Sequence, residues 1–442
     1  MIYLKALTGF FDRLVQRYLP DAFLFAIILT FLVFVIGIIF TASGPVDMIN
    51  HWGTGFWDLL AFTMQMALVV ITGYILANAP VIKSFLAGLS KLAKTPAHAI
   101  MLVTFVSAIA CLINYGFGLV VGALFAIHVA KQVPSADFRI LVAGAYSGFL
   151  VWHGGLSGSI PLSIATPGHF LEKEMGTIPI NETLFSPSNL FIVAALVLTL
   201  PIFNRFLMKN ADSLNQDRSK WTVPDDEVEP VQKAPGTPAE KLENSRIISL
   251  LIGVMGLAYI FYHFATKGFD LNINIVNFIF LFLGILLHNT PRQFLNTVSN
   301  GVKNAGGIII QFPLYAGIMG MVTLSGLSEQ IALWFVSLAN EHTLPFISFV
   351  SGGIINVFVP SGGGQWAVQG PIMIDAAMAI NADVAKTAMG VAWGDAWTNM
   401  IQPFWALPAL AIAGLHIRDI MGFCVMILLY SFIPISIGFL FF

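Results

Sequence analysis

The stretch AFLFAIILTFLVFVIGIIFT, residues 22–41, runs for twenty residues without a charge. At about 1.5 Å of rise per residue, a helix of that length reaches about 30 Å, the thickness of a bilayer's hydrocarbon core. The rest of the chain has the same character, being 57% hydrophobic and 10% charged, where a soluble domain is about a quarter charged. The run follows a polar, basic start and is succeeded by many like it, so it reads as a retained span rather than a cleaved leader. These features predict an all-α polytopic membrane protein.

Seven unbroken apolar spans stand out: 22–41, 59–77, 188–207, 247–265, 274–288, 306–324 and 420–441. Two more segments, 140–166 and 387–412, are long enough to cross but carry HGGLSGS (153–159) and TNMIQP (398–403) near their middles, the mark of discontinuous helices. Two regions, 97–131 and 345–380, each hold two apolar arms around a break, NYGFG (114–118) and NVFVPSGGGQ (356–365). Each pair of arms could be two full spans or one re-entrant hairpin, which the charge pattern does not separate; hairpins that turn back inside the membrane are the expectation, because broken backbone needs a wet or protein-lined setting there. About nine transmembrane helices and two hairpins result. The polar stretch 208–246 is a cytoplasmic linker. It divides the chain into a first membrane repeat (1–207) and an extra span with a second repeat (247–442).

An internal duplication accounts for this order. Sliding the sequence by about 246 residues pairs Gly55 with Gly301, Gln65 with Gln311 and, after small adjustments, CLIN (111–114) with GIIN (353–356) and Pro161 with Pro408. The span at 247–265 has no counterpart, so an odd number of crossings separates the halves and the repeats are inverted. With the N-terminus in the cytoplasm and the C-terminus outside, only Lys173, Lys267 and Lys386 of the 21 Lys and Arg fall outside, as the positive-inside rule requires. The first hairpin then opens from the cytoplasm and the second from the outside.

Broken backbone in lipid leaves polar groups unpaired at several kcal/mol each, so four breaks at corresponding places point to one central polar site. Gly116, Gly118, Gly362, Gly363 and Gly364 let backbone dipoles approach a ligand. Helices restarting after a break present about half a positive charge at their N-termini. The predicted membrane core has no Lys or Arg, so a carboxylate there falls to such termini and to Asn114, Ser157, Ser159, Asn356, Ser361, Gln365, Thr398, Asn399 and Gln402. Carbonyl ends and the amides of Asn114 and Asn356 are candidates for holding a co-transported Na⁺. Asp395, in WGDAWTN, is the clearest intramembrane acid and a candidate for binding a cation or proton. His153 is a candidate proton carrier or substrate donor, with a neutral core histidine as the plain reading. No resident cofactor or metal cluster is indicated, and Cys111 and Cys424 both lie in apolar segments.

No basic patch suggests a nucleic acid partner. An intramembrane zinc protease would need an HExxH pattern, which is absent, and an aspartyl mechanism would need a second acid beside Asp395. A channel is the remaining rival, although paired breaks in an inverted repeat suit alternating access better than a permanent pore.

The strings QRYLPDAFLFAIILT, HWGTGFWDLLAFTMQMALVVITGY, INYGFGLVVGALFA, VPSGGGQWAVQGPIM and QPFWALPALAIAGL together resemble the bacterial short-chain fatty acid transporter family of the ion transporter superfamily. The resemblance implies transport of monocarboxylates such as acetoacetate or butyrate across the bacterial inner membrane, coupled to H⁺ or Na⁺. It further implies opposed re-entrant hairpins, elevator-type movement and a homodimer. The hairpin tips here read NYGFG and PSGGG rather than the Ser-Asn-Thr type of the wider superfamily, so its sodium ligands do not carry over. The dicarboxylate and citrate carriers of that superfamily supply the alternative substrate class.

This topology places residue 236 in the cytoplasm. A Gly236→Cys variant should react with an impermeant maleimide in inverted vesicles and stay unlabelled in intact cells; labelling from outside would overturn the arrangement.

Overall fold

In hydrocarbon a chain must satisfy its own backbone, and the apolar runs do so as helices. The computed structural model describes residues 22–211 and 236–442 apart from 358, 360, 403 and 404, and among these all regular elements are helical. The expected cytoplasmic start and most of the linker lie outside the described residues. The first half comprises α1 (Ala22–Phe40), α2 (Pro45–Gly55), α3 (Leu60–Ala77), α4 (Pro80–Ser90), α5 (Pro96–Ile113), α6 (Tyr115–Gln132), α7 (Phe138–Ser147), a 3₁₀ segment (Gly148–Gly154), α8 (Ser159–Ile164), α9 (Glu172–Met175) and α10 (Pro187–Ala211). After α11 (Pro238–Glu243) and α12 (Arg246–Lys267), the second half comprises α13 (Ile273–Leu287), α14 (Pro291–Lys303), α15 (Gly306–Leu324), α16 (Leu327–Leu338), α17 (Leu344–Asn356), α18 (Gly362–Ala379), α19 (Val384–Thr398), α20 (Ala406–Ala413) and α21 (Ile417–Phe441).

Local chemistry fixes many of the starts. Thr95, Asp137, Asn272, Thr290 and Asp383 each accept a hydrogen bond from the first turn of the helix they precede, and Pro96 and Pro291 sit at first helical positions where no N–H is required. Among the described residues, eight helical segments, with Phe138–Ile164 taken as one, are long and apolar enough to cross a membrane. Both arms of the first hairpin, α5 and α6, are among them at 18 residues each, a reach of about 27 Å apiece. The four short helices α2, α4, α14 and α16 lie between the expected spans, where the sequence reading placed no element.

The duplication is visible element by element. Pro45 and Pro291 open α2 and α14, Leu60 and Gly306 open α3 and α15, and Asp137 and Asp383 cap α7 and α19, each pair 246 residues apart. Contacts between the halves come in exchanged pairs: α2 packs on α15 and α14 on α3, while α1 packs on α15 and α13 on α3. Contact sets that map onto each other when two units are swapped indicate a two-fold relation, here a pseudo-two-fold between the halves.

The closest of these crossings is made by glycines. A methyl group on Gly55 would lie 2.8 Å from the Ala316 carbonyl oxygen and from Gly320 Cα, and one on Gly320 would lie 2.5 Å from the His51 carbonyl oxygen. At the equivalent crossing Gly301 faces Tyr74 at 3.3 Å, so those helices stand further apart. Small residues allow such approach where lipid supplies no hydrophobic drive between helices. Gly320→Val should therefore destabilise the fold by about 1–3 kcal/mol, lowering the thermal unfolding midpoint in detergent, whereas Gly301→Ala should have a smaller effect.

Candidate functional site

Each hairpin tip is set by what ends one helix and starts the next. Between α5 and α6 stands Asn114 alone, with extended backbone (φ −158°, ψ 129°), and its Oδ1 accepts a 2.9 Å bond from the Phe117 N–H. Gly118 is required there because a methyl group would lie 2.5 Å from Cys111 N, and Gly116 lies against Val70. In the second hairpin Ser361 is extended (φ −150°, ψ 115°) and caps α18, accepting from the Gly364 N–H at 3.4 Å. Gln365 donates to the Gly352 carbonyl and to Gln369 Oε1, both at 2.9 Å, and Gln369 donates to Ser351 Oγ at 3.0 Å, a polar seam between the two arms.

The breaks answer one another. The first discontinuous helix runs from α7 through the 3₁₀ segment to a turn at residues 155–158 and restarts as α8. Its Leu156 N–H donates to the Leu112 carbonyl at 2.6 Å, and Ser157 Oγ accepts from the Tyr115 N–H at 2.8 Å, fastening the turn to the first hairpin tip. The Gly154 carbonyl accepts from Asn189 Nδ2 at 3.1 Å, and Asn189 Oδ1 accepts from the Trp393 indole at 2.9 Å. In the second half α19 stops at Thr398 and α20 begins at Ala406. Asn356 reaches across to donate to the Asp395 carbonyl and to Thr398 Oγ1, both at 2.9 Å. Asn399 accepts the Trp152 indole N–H on its side chain and the Tyr146 hydroxyl on its carbonyl, at 3.2 and 2.7 Å.

His153 and Asp395 meet at the centre, both fully buried. His153 Nδ1 lies 2.7 Å from the Ala392 carbonyl oxygen, which can only accept, so Nδ1 carries a proton; Nε2 faces Ser159 Oγ at 2.8 Å. Asp395 Oδ2 is 3.4 Å from the same Nδ1, and among the described residues neither carboxylate oxygen has a hydrogen-bond partner. The Trp152 ring stacks on the imidazole at 3.6 Å. Gly362, at the second hairpin tip, covers the other side: a methyl group there would lie 2.6 Å from both His153 Nε2 and Ser159 Oγ. Its neighbours press on aromatic rings in the same way, since a methyl group on Gly363 would lie 2.7 Å from Phe62 and one on Gly364 would lie 2.6 Å from Tyr315.

The structure thus gathers His153, Ser159, Gly362 and Asp395 into one cluster, joins Asn356, Thr398 and Asn399 to it along α19, and places Asn114 and Ser157 at the adjoining tip. Gly116 and Gly118 sit in helix packing, Gln365 lies inside the second hairpin, and Gln402 is buried just beyond α19. Besides the carboxylate, Asn114 Nδ2, Asn356 Oδ1, Gln365 Oε1 and Asn399 Nδ2 are buried without a hydrogen-bond partner among the described residues, as are other groups elsewhere in the fold. Each such group costs about 1–3 kcal/mol, a cost that a ligand or ion bound at the tips and breaks would offset there. Sequence reasoning missed Trp152, Asn189, Gln369 and the Ala392 carbonyl. Of these only Asn189, a lone amide at the start of an apolar span, carried a local signal.

The short chain fatty acid transporter family profile matches residues 3–442. Two relatives, from Escherichia coli K12 and Haemophilus influenzae, are 47% and 46% identical over 432 and 436 residues, covering 98% and 97% of both chains. Both are provisionally named short-chain fatty acid transporters. Among solved structures, the Alcanivorax borkumensis YdaH transporter, described as having an unusual topology, superposes with a TM-score of 0.59 over 95% of this chain and 97% of its own at 15% identity, a likeness of fold. This chain, a helical protein with several segments able to cross a membrane, belongs to the short-chain fatty acid transporter family.

Proposed function

We propose that the chain is a secondary carrier that moves a short monocarboxylate, such as acetoacetate or butyrate, across the cytoplasmic membrane in company with a proton. The observation that carries this reading is the buried His153–Asp395 pair beneath the second hairpin tip, with a carboxylate that no described residue hydrogen-bonds. A lone carboxylate in such a place is costly when charged, and a proton removes that cost. His153 commits its Nδ1 proton to the Ala392 carbonyl, so a proton taken up at this pair would fall to the Asp395 carboxylate. The substrate's carboxylate would be met by the unfilled amide donors of Asn114 and Asn399. Its short apolar part would lie against the ring cluster of Tyr115, Phe149, Trp152 and Trp405, whose neighbouring centroids are 4.7 to 6.4 Å apart. A di- or tricarboxylate would bring further charge into a core without Lys or Arg, which disfavours that alternative.

Elevator-like alternating access is the mode in this proposal, with the hairpins and broken helices inverted about the membrane midplane and moving as one unit. Support comes from the seams along which they would move. α6 packs on α3 and α18 on α15, and both contacts are lined by small residues: Gly73 faces the Phe117 N–H region of the first tip, while Gly363 and Gly364 face Phe62, Phe312 and Tyr315. Small-residue seams let helices approach closely without interlocking. Sodium is the second reading of the coupling ion, favoured by the unpartnered Oδ1 of Asn356. The family resemblance also brings a homodimer into the proposal.

Counterflow in proteoliposomes with a panel of C2 to C6 acids and dicarboxylates should show saturable exchange of short monocarboxylates that proceeds without sodium. Competition by dicarboxylates alone, or an absolute sodium requirement, would overturn the respective part. Asp395→Asn should abolish uptake driven by a pH gradient while leaving counterflow measurable; unchanged proton-driven uptake would reduce Asp395 to a structural role. Gly362→Ala, which forces a methyl against His153 and Ser159, should lower transport about tenfold or more while still inserting, and the strain of about 1–3 kcal/mol on the tip should lower the thermal midpoint as well.

A further inference from the structure

Outside the central site, α5 and α10 run antiparallel along the periphery and leave an apolar groove of about 400 Å³ between them. Its lining includes Leu92, Met101, Phe105, Leu198 and Ile202, with His98 at one end. Leu92, Leu198 and Ile202 are each at least 60% exposed, so the groove opens outward rather than into the protein. At the His98 end stand three cations: Lys91 and Lys94 flank Leu92 in the connection between α4 and α5, and Arg205 lies one turn beyond Ile202 on α10. All three side chains are exposed, and none pairs with a described residue.

The segments that carry them, residues 80–136 and 187–210, contain no Asp or Glu. The duplication sharpens the point. The connection between α16 and α17, the counterpart of that between α4 and α5, carries Glu341 and His342, 3.4 Å apart, and no Lys or Arg. The cationic end therefore belongs to one half alone and faces one side of the protein. An apolar trough ending in three cations that pair with no described residue is complementary to a phospholipid with an anionic headgroup. A zwitterionic lipid fills the trough equally well but leaves the charges unanswered, and each Lys or Arg near an anionic lipid surface contributes about 1 kcal/mol.

We propose that this groove binds an anionic phospholipid, with an acyl chain along Met101 and Phe105 and the headgroup phosphate between Lys91, Lys94 and Arg205. Such a lipid bridges the first arm of the cytoplasm-facing hairpin and α10, coupling the leaflet's charge to the unit that carries the site.

Thermal unfolding of the purified full chain in detergent, with dioleoylphosphatidylglycerol or dioleoylphosphatidylcholine added, tests this, together with native mass spectrometry of retained lipid. Phosphatidylglycerol should raise the midpoint by several degrees more than phosphatidylcholine and remain bound. Lys91→Gln, Lys94→Gln and Arg205→Gln combined should remove at least half of that difference, and Leu198→Trp, which fills the groove, should do the same without lowering the lipid-free midpoint. Lys241→Gln, also exposed but remote in sequence, should leave it intact. Equal shifts from both lipids, or a full difference in the triple variant, would overturn the proposal. So would groove-dependent dimerisation without lipid preference, which would assign the face to a second copy of the chain.

Discussion

In hydrocarbon, every backbone group released by a broken helix has to be taken up by another part of the protein, and this constraint organises the centre of the molecule. The turn at residues 155–158 is fastened by Leu112 and Tyr115 of the first hairpin tip, and the Gly154 carbonyl is taken by Asn189 from α10. Asn356 answers the carbonyl of Asp395 as α19 approaches its end. No break is satisfied only within its own element, so moving one involves its neighbours. The hairpins, the broken helices and α10 are therefore tied together by hydrogen bonds at the centre.

The same constraint explains why much of the molecule is legible in the sequence. Long apolar runs have one stable form in lipid, and the spans read at 59–77 and 306–324 are the helices Leu60–Ala77 and Gly306–Leu324. Polar residues interrupting such runs stand out against their background, which is why His153, Asn356, Asp395, Thr398 and Asn399 can be picked out without knowing that they meet. Short helices such as α2 and α14 escape because 11 and 13 residues of mixed composition give neither a membrane-length run nor a distinctive break. The partners escape for a different reason. The Ala392 carbonyl that orients His153 lies 239 residues away in sequence and has no side-chain chemistry to advertise it. Trp152 reads as one more tryptophan among nine.

The glycines divide between two physical roles that a sequence cannot separate. Gly118, Gly55 and Gly320 are needed because another backbone lies where a side chain would be. Gly362 is needed because a functional side chain does: the imidazole of His153 occupies that space. Both kinds sit in apolar surroundings, and only the identity of the neighbouring atom distinguishes them.

Aligning the halves on their capping aspartates, Asp137 and Asp383, carries the comparison into the site itself. His153 then corresponds to Asn399, and Tyr146 to Ala392. The positions joined by the bond from His153 to the Ala392 carbonyl are thus joined in the other half too, but with side chain and backbone exchanged, since there the Tyr146 hydroxyl donates to the Asn399 carbonyl. Asp395 corresponds to Phe149, whose ring lies parallel to that of Trp152 at 5.4 Å. The duplicated frame has therefore been kept while its chemistry has been divided. One contact holds an imidazole beside a carboxylate, and its counterpart holds an amide beside an aromatic ring. Two like-charged carboxylates at equivalent buried places would repel each other and double the desolvation cost. Placing the acid in only one half confines the proposed proton site to one side of the pseudo-two-fold and leaves the other side apolar enough to receive a short acyl chain.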